Sequence, residues 1–351
     1  MPNAEQRITT TPCPLCGSTT QTVLFAAQDR FHRVPGAFVV VECRCGLRST
    51  WPRPQDIAAY YPASYYAYGP VGPPPFFGHG LRGLLRTIVL RYHYGYRYGV
   101  LGERLPSAGW SMWLLRLLTR PLRRRAALVF GPGPLPVARP HGRMLDVGCG
   151  NGGWLLKMRD LGWQVEGVEV SAHGCQMARN AGLVVYEGEL TDASRPSATY
   201  DVVRIWHTLE HVPNPRDVVL EAVRLLKPGG LLVIGVPNAG GWMARSWRSL
   251  WFDLDVPRHL WHFNVATLRR SAADSALRVD TIRYGFYGGY SLLRCICYLV
   301  ESTIGYISAR RERFERGLNW LRRSRAAFLV RVLLRPFERT NHLELTATRL
   351  G

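Results

Sequence analysis

The chain has 351 residues, 47% of them hydrophobic, and a formal charge of +20 carried almost wholly by arginine, since Lys157 and Lys227 are its only lysines. Such a length and composition admit two or three domains with a sizeable core. The lack of a lysine-rich tail, a helix-turn-helix or an RNA-binding signature argues against nucleic acid as the partner of this basic chain, although Arg120–Arg125 and Arg310–Arg325 are local basic clusters.

The first residues, Met-Pro-Asn-Ala-Glu-Gln-Arg-Ile, lack the apolar centre of a signal peptide. The most apolar stretch, Tyr284–Ile307, is interrupted by Arg294 and Glu301. A cytoplasmic protein with reduced cysteines is therefore expected, with peripheral membrane contact left open.

Residues 1–68 form the first expected unit. Cys13-Pro-Leu-Cys16-Gly and Cys43-Arg-Cys45-Gly46 flank a β-rich stretch at Phe38–Glu42, and the pattern resembles a zinc ribbon in which Cys13, Cys16, Cys43 and Cys45 converge on one structural Zn2+. The second pair has one intervening residue where two are usual. A ligand set shifted to include His32, or four unconnected thiols, are the alternatives. The tyrosines at Tyr60, Tyr61, Tyr65 and Tyr66 are expected to pack the ribbon onto the main body.

Residues 69–138 open with a Pro/Gly-rich linker and continue as one or two amphipathic helices, for instance Trp110–Leu118 followed by Arg120, Arg123, Arg124 and Arg125. Such helices can cap a site, lie against a membrane or pack on the neighbouring domain.

From residue 139 to 351 strands and helices alternate. Strands are expected near Met144–Val147, Gln164–Val168, Val184–Tyr186, Val202–Trp206, Leu231–Gly235 and Val279–Tyr284, with helices at Ala172–Ala181, Pro215–Leu226 and Val265–Ala276. The alternation predicts a parallel α/β sheet that binds its ligand at the carboxyl ends of the strands. Helices are expected again over about 291–340, as an insertion, and His342–Arg349 supplies one more strand.

The turn Gly148-Cys149-Gly150-Asn151-Gly152 lies between the first strand of this region and a helix. Its glycines permit positive φ and close approach of a ligand, and the following helix aims free N–H groups at what lies above it. Taken alone, this turn and the acidic Glu169 downstream also satisfy a dinucleotide fingerprint.

Five ordered motifs narrow the reading: Leu145-Asp146-Val147-Gly148-Cys149-Gly150-Asn151-Gly152, Glu169, Tyr200-Asp201-Val202-Val203, Leu209-Glu210-His211-Val212-Pro213, and Leu226-Lys227-Pro228-Gly229-Gly230. Over about Arg143–Tyr284 the chain resembles a class I S-adenosylmethionine-dependent methyltransferase. With its cysteine segment it is similar to bacterial sugar C-methyltransferases, and its core is similar to quinone O-methyltransferases. The resemblance implies a Rossmann-like sheet of seven strands, the last antiparallel, and S-adenosyl-L-methionine as cofactor. It implies that Gly148, Cys149, Gly150 and Gly152 line the methionine and ribose, that Asp146 lies near the amino group, that Glu169 takes the ribose hydroxyls, that Glu189 meets the adenine and that His207 faces the cofactor.

The acceptor implied is a small molecule, a sugar, glycolipid precursor or other metabolite. The competing readings are a membrane-associated lipid or quinone O-methyltransferase and a zinc-ribbon nucleic-acid-binding protein with a repurposed cofactor fold. Methyl transfer needs a base when the nucleophile is a hydroxyl or carbon acid, and His207 and His211, with Glu210 to orient one of them, are the candidates. Arg258 and His259 are candidates for substrate contact.

Overall fold

A computed structural model describes residues 7–54, 57, 60–61, 80–97, 105, 110–123, 133–273, 276–285, 291–304, 317 and 340–351. Arg124, Arg125, Tyr65, Tyr66 and nearly all of Arg310–Arg325 lie outside the described residues.

Four short antiparallel strands begin the chain: β1 (Arg7–Thr9), β2 (Thr20–Ala27), β3 (Phe38–Cys43) and β4 (Arg48–Trp51). The run Phe-Val-Val-Val-Glu-Cys of β3 suits the centre of this sheet, its β-branched residues packing on both faces. Helices α1 (Gly80–Tyr94) and α2 (Trp110–Thr119) follow, packed against each other.

The alternating region begins with β5 (Arg143–Val147), α3 (Gly153–Asp160), β6 (Gln164–Glu169), α4 (Ala172–Asn180), β7 (Val184–Glu187), β8 (Tyr200–Trp206), α5 (Pro215–Leu225) and β9 (Leu226–Pro237). It continues with α6 (Trp242–Trp247), β10 (Trp261–His262), α7 (Val265–Ser271), β11 (Leu277–Gly285), α8 (Ser291–Ile304) and β12 (His342–Arg349). The seven-stranded sheet has the order β11-β12-β9-β8-β5-β6-β7. Strands β5 to β9 pair in parallel, and β12 is wedged antiparallel between β9 and β11, as the sequence leads one to expect.

Every residue of β8 is buried, as a strand covered on both faces requires. Helix α5 starts on an Asn214 cap with Pro215 in its first turn and buries Val218, Val219, Ala222 and Val223.

Two boundaries differ from the sequence reading. Lys227-Pro228-Gly229-Gly230 does not precede β9 as a separate turn: it is a bulge inside the strand, where pairing with β8 jumps from Tyr200↔Leu226 to Val202↔Leu231 and Gly229 takes φ +71°. Helix α7 ends at Ser271, short of Ala276, because Ala272 and Ala273 close tight turns onto Arg269 and Arg270, and β11 then pairs from Leu277 onward.

The small sheet is tied into the main body. Strand β10 pairs antiparallel with β4, adding a fifth strand from the far end of the sequence. Cys13, Leu15, Cys43 and Leu47 share one hydrophobic cluster with Leu145, Val147, Leu209 and Phe263.

Candidate active site

At the carboxyl end of β5 the chain turns sharply. The N–H groups of Gly148 and Cys149 both donate to the carbonyl of Val168 on β6, 2.8 and 3.1 Å away, binding the turn to the neighbouring strand. Gly148, Gly150 and Gly152 take φ of +72°, +55° and +76°. At Gly148 glycine is also required by approach, since a Cβ there would lie 2.1 Å from the Thr208 hydroxyl, which itself donates to the carbonyl of Val147.

Glu169, at the end of β6, accepts from the N–H of Gly150 at 2.7 Å and from that of Ser171 at 2.9 Å, one on each carboxylate oxygen. Each oxygen keeps a second lone pair for a hydroxyl. Ser171 in turn caps α4 by accepting from the N–H of Gly174. Glu189 stands exposed on the turn that follows β7.

Asp146 is 2% exposed, and its carboxylate is taken up by Arg204 of β8, whose Nη1 donates at 2.9 and 3.1 Å. The two residues are direct partners in the parallel ladder, and the guanidinium lies 4.2 Å from the ring centre of Trp154 and 4.8 Å from that of Trp206. Burial pushes the Asp146 carboxyl up to about 6, while the charge and hydrogen bond of Arg204 pull it down. Sequence reasoning missed Arg204. The signal was present as a lone arginine in the otherwise apolar second half of β8, Val202-Val203-Arg204-Ile205-Trp206.

Beyond β8 the structure brings four of the predicted residues together. His207 holds φ +51° and its Nδ1 lies 3.2 Å from Oε1 of Glu210, a carboxylate 1% exposed. The carbonyl of Glu210 accepts from the N–H groups of Leu260 and Trp261, which pins the segment carrying His259 against it. His211 and His259 meet edge to face with ring centres 4.6 Å apart. Burial drives the His259 imidazole well below its ordinary value, with the His211, His262 and His207 rings adding to the effect.

Arg258 occupies a different place from the one its neighbours suggest. Its side chain has no exposure, and all three guanidinium nitrogens are engaged: Nε with Asp255, Nη1 with Asp29 and the carbonyl of Tyr60, and Nη2 with Asp29 and Asp255. With its donors consumed inside the protein, Arg258 acts as a clamp on the small sheet. His262, also buried, sits 3.0 Å from the Thr50 hydroxyl of β4.

The four cysteines Cys13, Cys16, Cys43 and Cys45 converge. Sγ of Cys13 lies 3.6 Å from that of Cys45, and Sγ of Cys16 lies 3.3 Å from that of Cys43. One ligand atom from each of the four falls within 4.8 Å of the others, so the short Cys43-Arg-Cys45 spacing does not prevent a common centre. Gly17 and Gly46, at φ +73° and +83°, close the two turns by donating to the carbonyls of Cys13 and Cys43. His32 is absent from this group.

Residues 112–282 match a family described as a methyltransferase domain. A ubiquinone biosynthesis O-methyltransferase of Burkholderia multivorans is 40% identical over 103 residues, which cover 27% of this chain and 44% of that protein. The protein of the same description from Burkholderia ambifaria is 38% identical over an equal span and share. The chain thus spans less than half the length of the curated relatives it matches. Among solved structures, a putative sarcosine dimethylglycine methyltransferase of Galdieria sulphuraria aligns over 76% of this chain and 98% of its own, with 15% identity and a TM-score of 0.43.

Proposed function

We propose that the chain, whose residues 112–282 match a family described as a methyltransferase domain, is an S-adenosylmethionine-dependent methyltransferase acting on a small-molecule hydroxyl. The observation that carries the reading is the glycine turn at the end of β5 with Glu169 beside it, still able to accept hydrogen bonds on both carboxylate oxygens. That donor and acceptor set fits an adenosyl cofactor, whose ribose presents two vicinal hydroxyls. When bound, the cofactor supplies a methyl group on a sulfonium centre.

The chain then has to orient the acceptor, exclude water and take up a proton. His207 is placed for proton uptake, because its Nδ1 lies 3.2 Å from Oε1 of the buried Glu210, whose carboxylate orients the ring. The half-exposed ring stands at the carboxyl end of β8, the same edge as the glycine turn. Isothermal titration tests the cofactor assignment. Glu169→Ala is expected to weaken S-adenosylmethionine binding at least tenfold, about 1.4 kcal/mol, and an unchanged affinity rejects it.

A membrane-borne acceptor is the second reading. It is supported by the outer face of α2, where Trp110 and Trp113 are 81% and 65% exposed beside Leu117 and Leu118, with Arg116 and Arg120 at the same surface. Flotation with anionic and neutral vesicles separates the two readings, since only the second expects binding that rises with anionic lipid. For the cysteine cluster the reading is one structural Zn2+ per chain, supported by four converging thiols and tested by elemental metal analysis.

A further inference from the structure

We propose that Glu210, His211 and His259 form a second metal site, distinct from the cysteines, that takes a divalent transition-metal ion. The three residues come from two separate segments, the turn after β8 and the stretch before β10, yet one ligand atom from each lies within 4.8 Å of the others. Bonds of about 2.0 to 2.2 Å to nitrogen and oxygen place ligands roughly 3 to 4 Å apart around one ion, so the cluster needs little contraction to bind.

Three further features point to an ion. Glu210 is 1% exposed and its Oε1 is used by His207, but its Oε2 is buried with no hydrogen-bond partner. Leaving a carboxylate oxygen in that condition costs more than the roughly 1 to 3 kcal/mol of an ordinary buried polar group, which a cation would remove. Next, the tautomers are fixed. Nδ1 of His211 lies 3.0 Å from the carbonyl of Arg258, and Nδ1 of His259 lies 2.9 Å from the carbonyl of Asp253. A carbonyl only accepts, so each Nδ1 carries the proton and each Nε2 presents a lone pair, the arrangement that orients metal-binding histidines. Third, His259 is only 6% exposed, so bulk water has little access to its ring.

The scaffold is also set in advance. The N–H groups of Leu260 and Trp261 bond the carbonyl of Glu210, at 2.8 and 3.2 Å, and hold the two segments in register. The Tyr61 hydroxyl adds a contact of 2.9 Å to Nδ1 of His211. Two imidazoles and one carboxylate favour zinc, iron, cobalt or manganese over calcium or magnesium. Three protein ligands leave a position open for an oxygen of the acceptor, whose proton the ion would make easier to remove. That last role rests on the methyltransferase reading; the site itself does not.

The test uses the full chain with its cysteine centre loaded with zinc, titrated with Co2+ and followed by visible absorption and by metal analysis after dialysis. The expected result is one Co2+ per chain with ligand-field bands and no thiolate charge-transfer band. Glu210→Gln and His259→Gln should each weaken binding at least tenfold while unfolding cooperatively on heating; His211→Gln replaces either variant that does not. No cobalt beyond the cysteine centre, a charge-transfer band, or unchanged affinity in the folded variants overturns the site and leaves a bound water as the partner of Oε2. Cobalt binding that persists when S-adenosylmethionine binding fails counts against the cofactor reading alone.

Discussion

Arg258 and Asp29, 229 positions apart in the chain, form an ion pair with zero exposure on both side chains and an Nη2 to Oδ1 distance of 2.8 Å. Burial alone would raise the Asp29 carboxyl, but the Arg258 guanidinium, together with the N–H groups of His32 and Val34, holds it below the usual range. The pair fastens the loop between β2 and β3 to the segment that carries His259.

Removing one member of such a pair leaves an uncompensated buried charge, a loss of about 3 to 5 kcal/mol. Arg258→Ala is therefore expected to lower the unfolding midpoint by many degrees, whereas Arg258→Leu combined with Asp29→Leu recovers much of the loss. Urea unfolding of the single and double variants checks this. A stable single variant defective only in acceptor binding would restore the substrate role that the sequence suggests for Arg258.

Asp146 and Arg204 should behave as a unit. Arg204→Met is expected to destabilise strongly and to favour the protonated form of Asp146, which burial already pushes up to about 6. In a double-mutant cycle with Asp146→Asn, the second change should cost far less than it does alone, giving a coupling of about 1 to 3 kcal/mol. Additive losses would show that the hydrogen bonds contribute little.

Acid should unfold the protein early. Burial lowers the His262 imidazole to about 3 from 6.5 and drives His259 and His342 well below that ordinary value. Because the unfolded chain takes up protons first, the stability present above pH 6.5 is lost as pH falls, and for His262 the loss continues to about pH 3. Each histidine that stays neutral contributes a slope of about 1.4 kcal/mol per pH unit. Urea midpoints at pH 7.5 and 5.5 measure it, and a flat profile between them refutes the assignment.

If the four cysteines hold Zn2+ as proposed, its removal should be felt beyond their two turns. Cys13 and Cys43 share a hydrophobic cluster with Leu145 and Val147 of β5, which lead into the glycine turn. Stripping the metal with a strong chelator is expected to lower the unfolding midpoint of the whole protein and weaken S-adenosylmethionine binding. A melting curve in which only a minor early transition moves would mean that the small sheet is energetically separate.

The parts legible in the sequence are those governed by local patterning. The apolar strands, the glycine turn and the strand at His342–Arg349 follow from periodicity and motif, and the antiparallel setting of that last strand from the family resemblance. What the sequence hides depends on pairs far apart in the chain. Asp29 has no motif around it, and nothing in Arg258-His259-Leu260 announces that the first residue is consumed by burial while the second lies against His211. Likewise the Lys227–Gly230 stretch has turn chemistry, and only its pairing with β8 makes it a bulge.

Strand β10 is two residues long, yet it completes the small sheet, and the same stretch of backbone carries Arg258 and His259. Any shortened version of the protein that starts after Trp51 would strip β10 of its neighbour, remove Asp29 from Arg258 so that Asp255 is its one remaining carboxylate partner, and loosen the histidine beside it. The first fifty residues are therefore no detachable appendage: trimming the gene to residues 112–282 for expression should give an insoluble product.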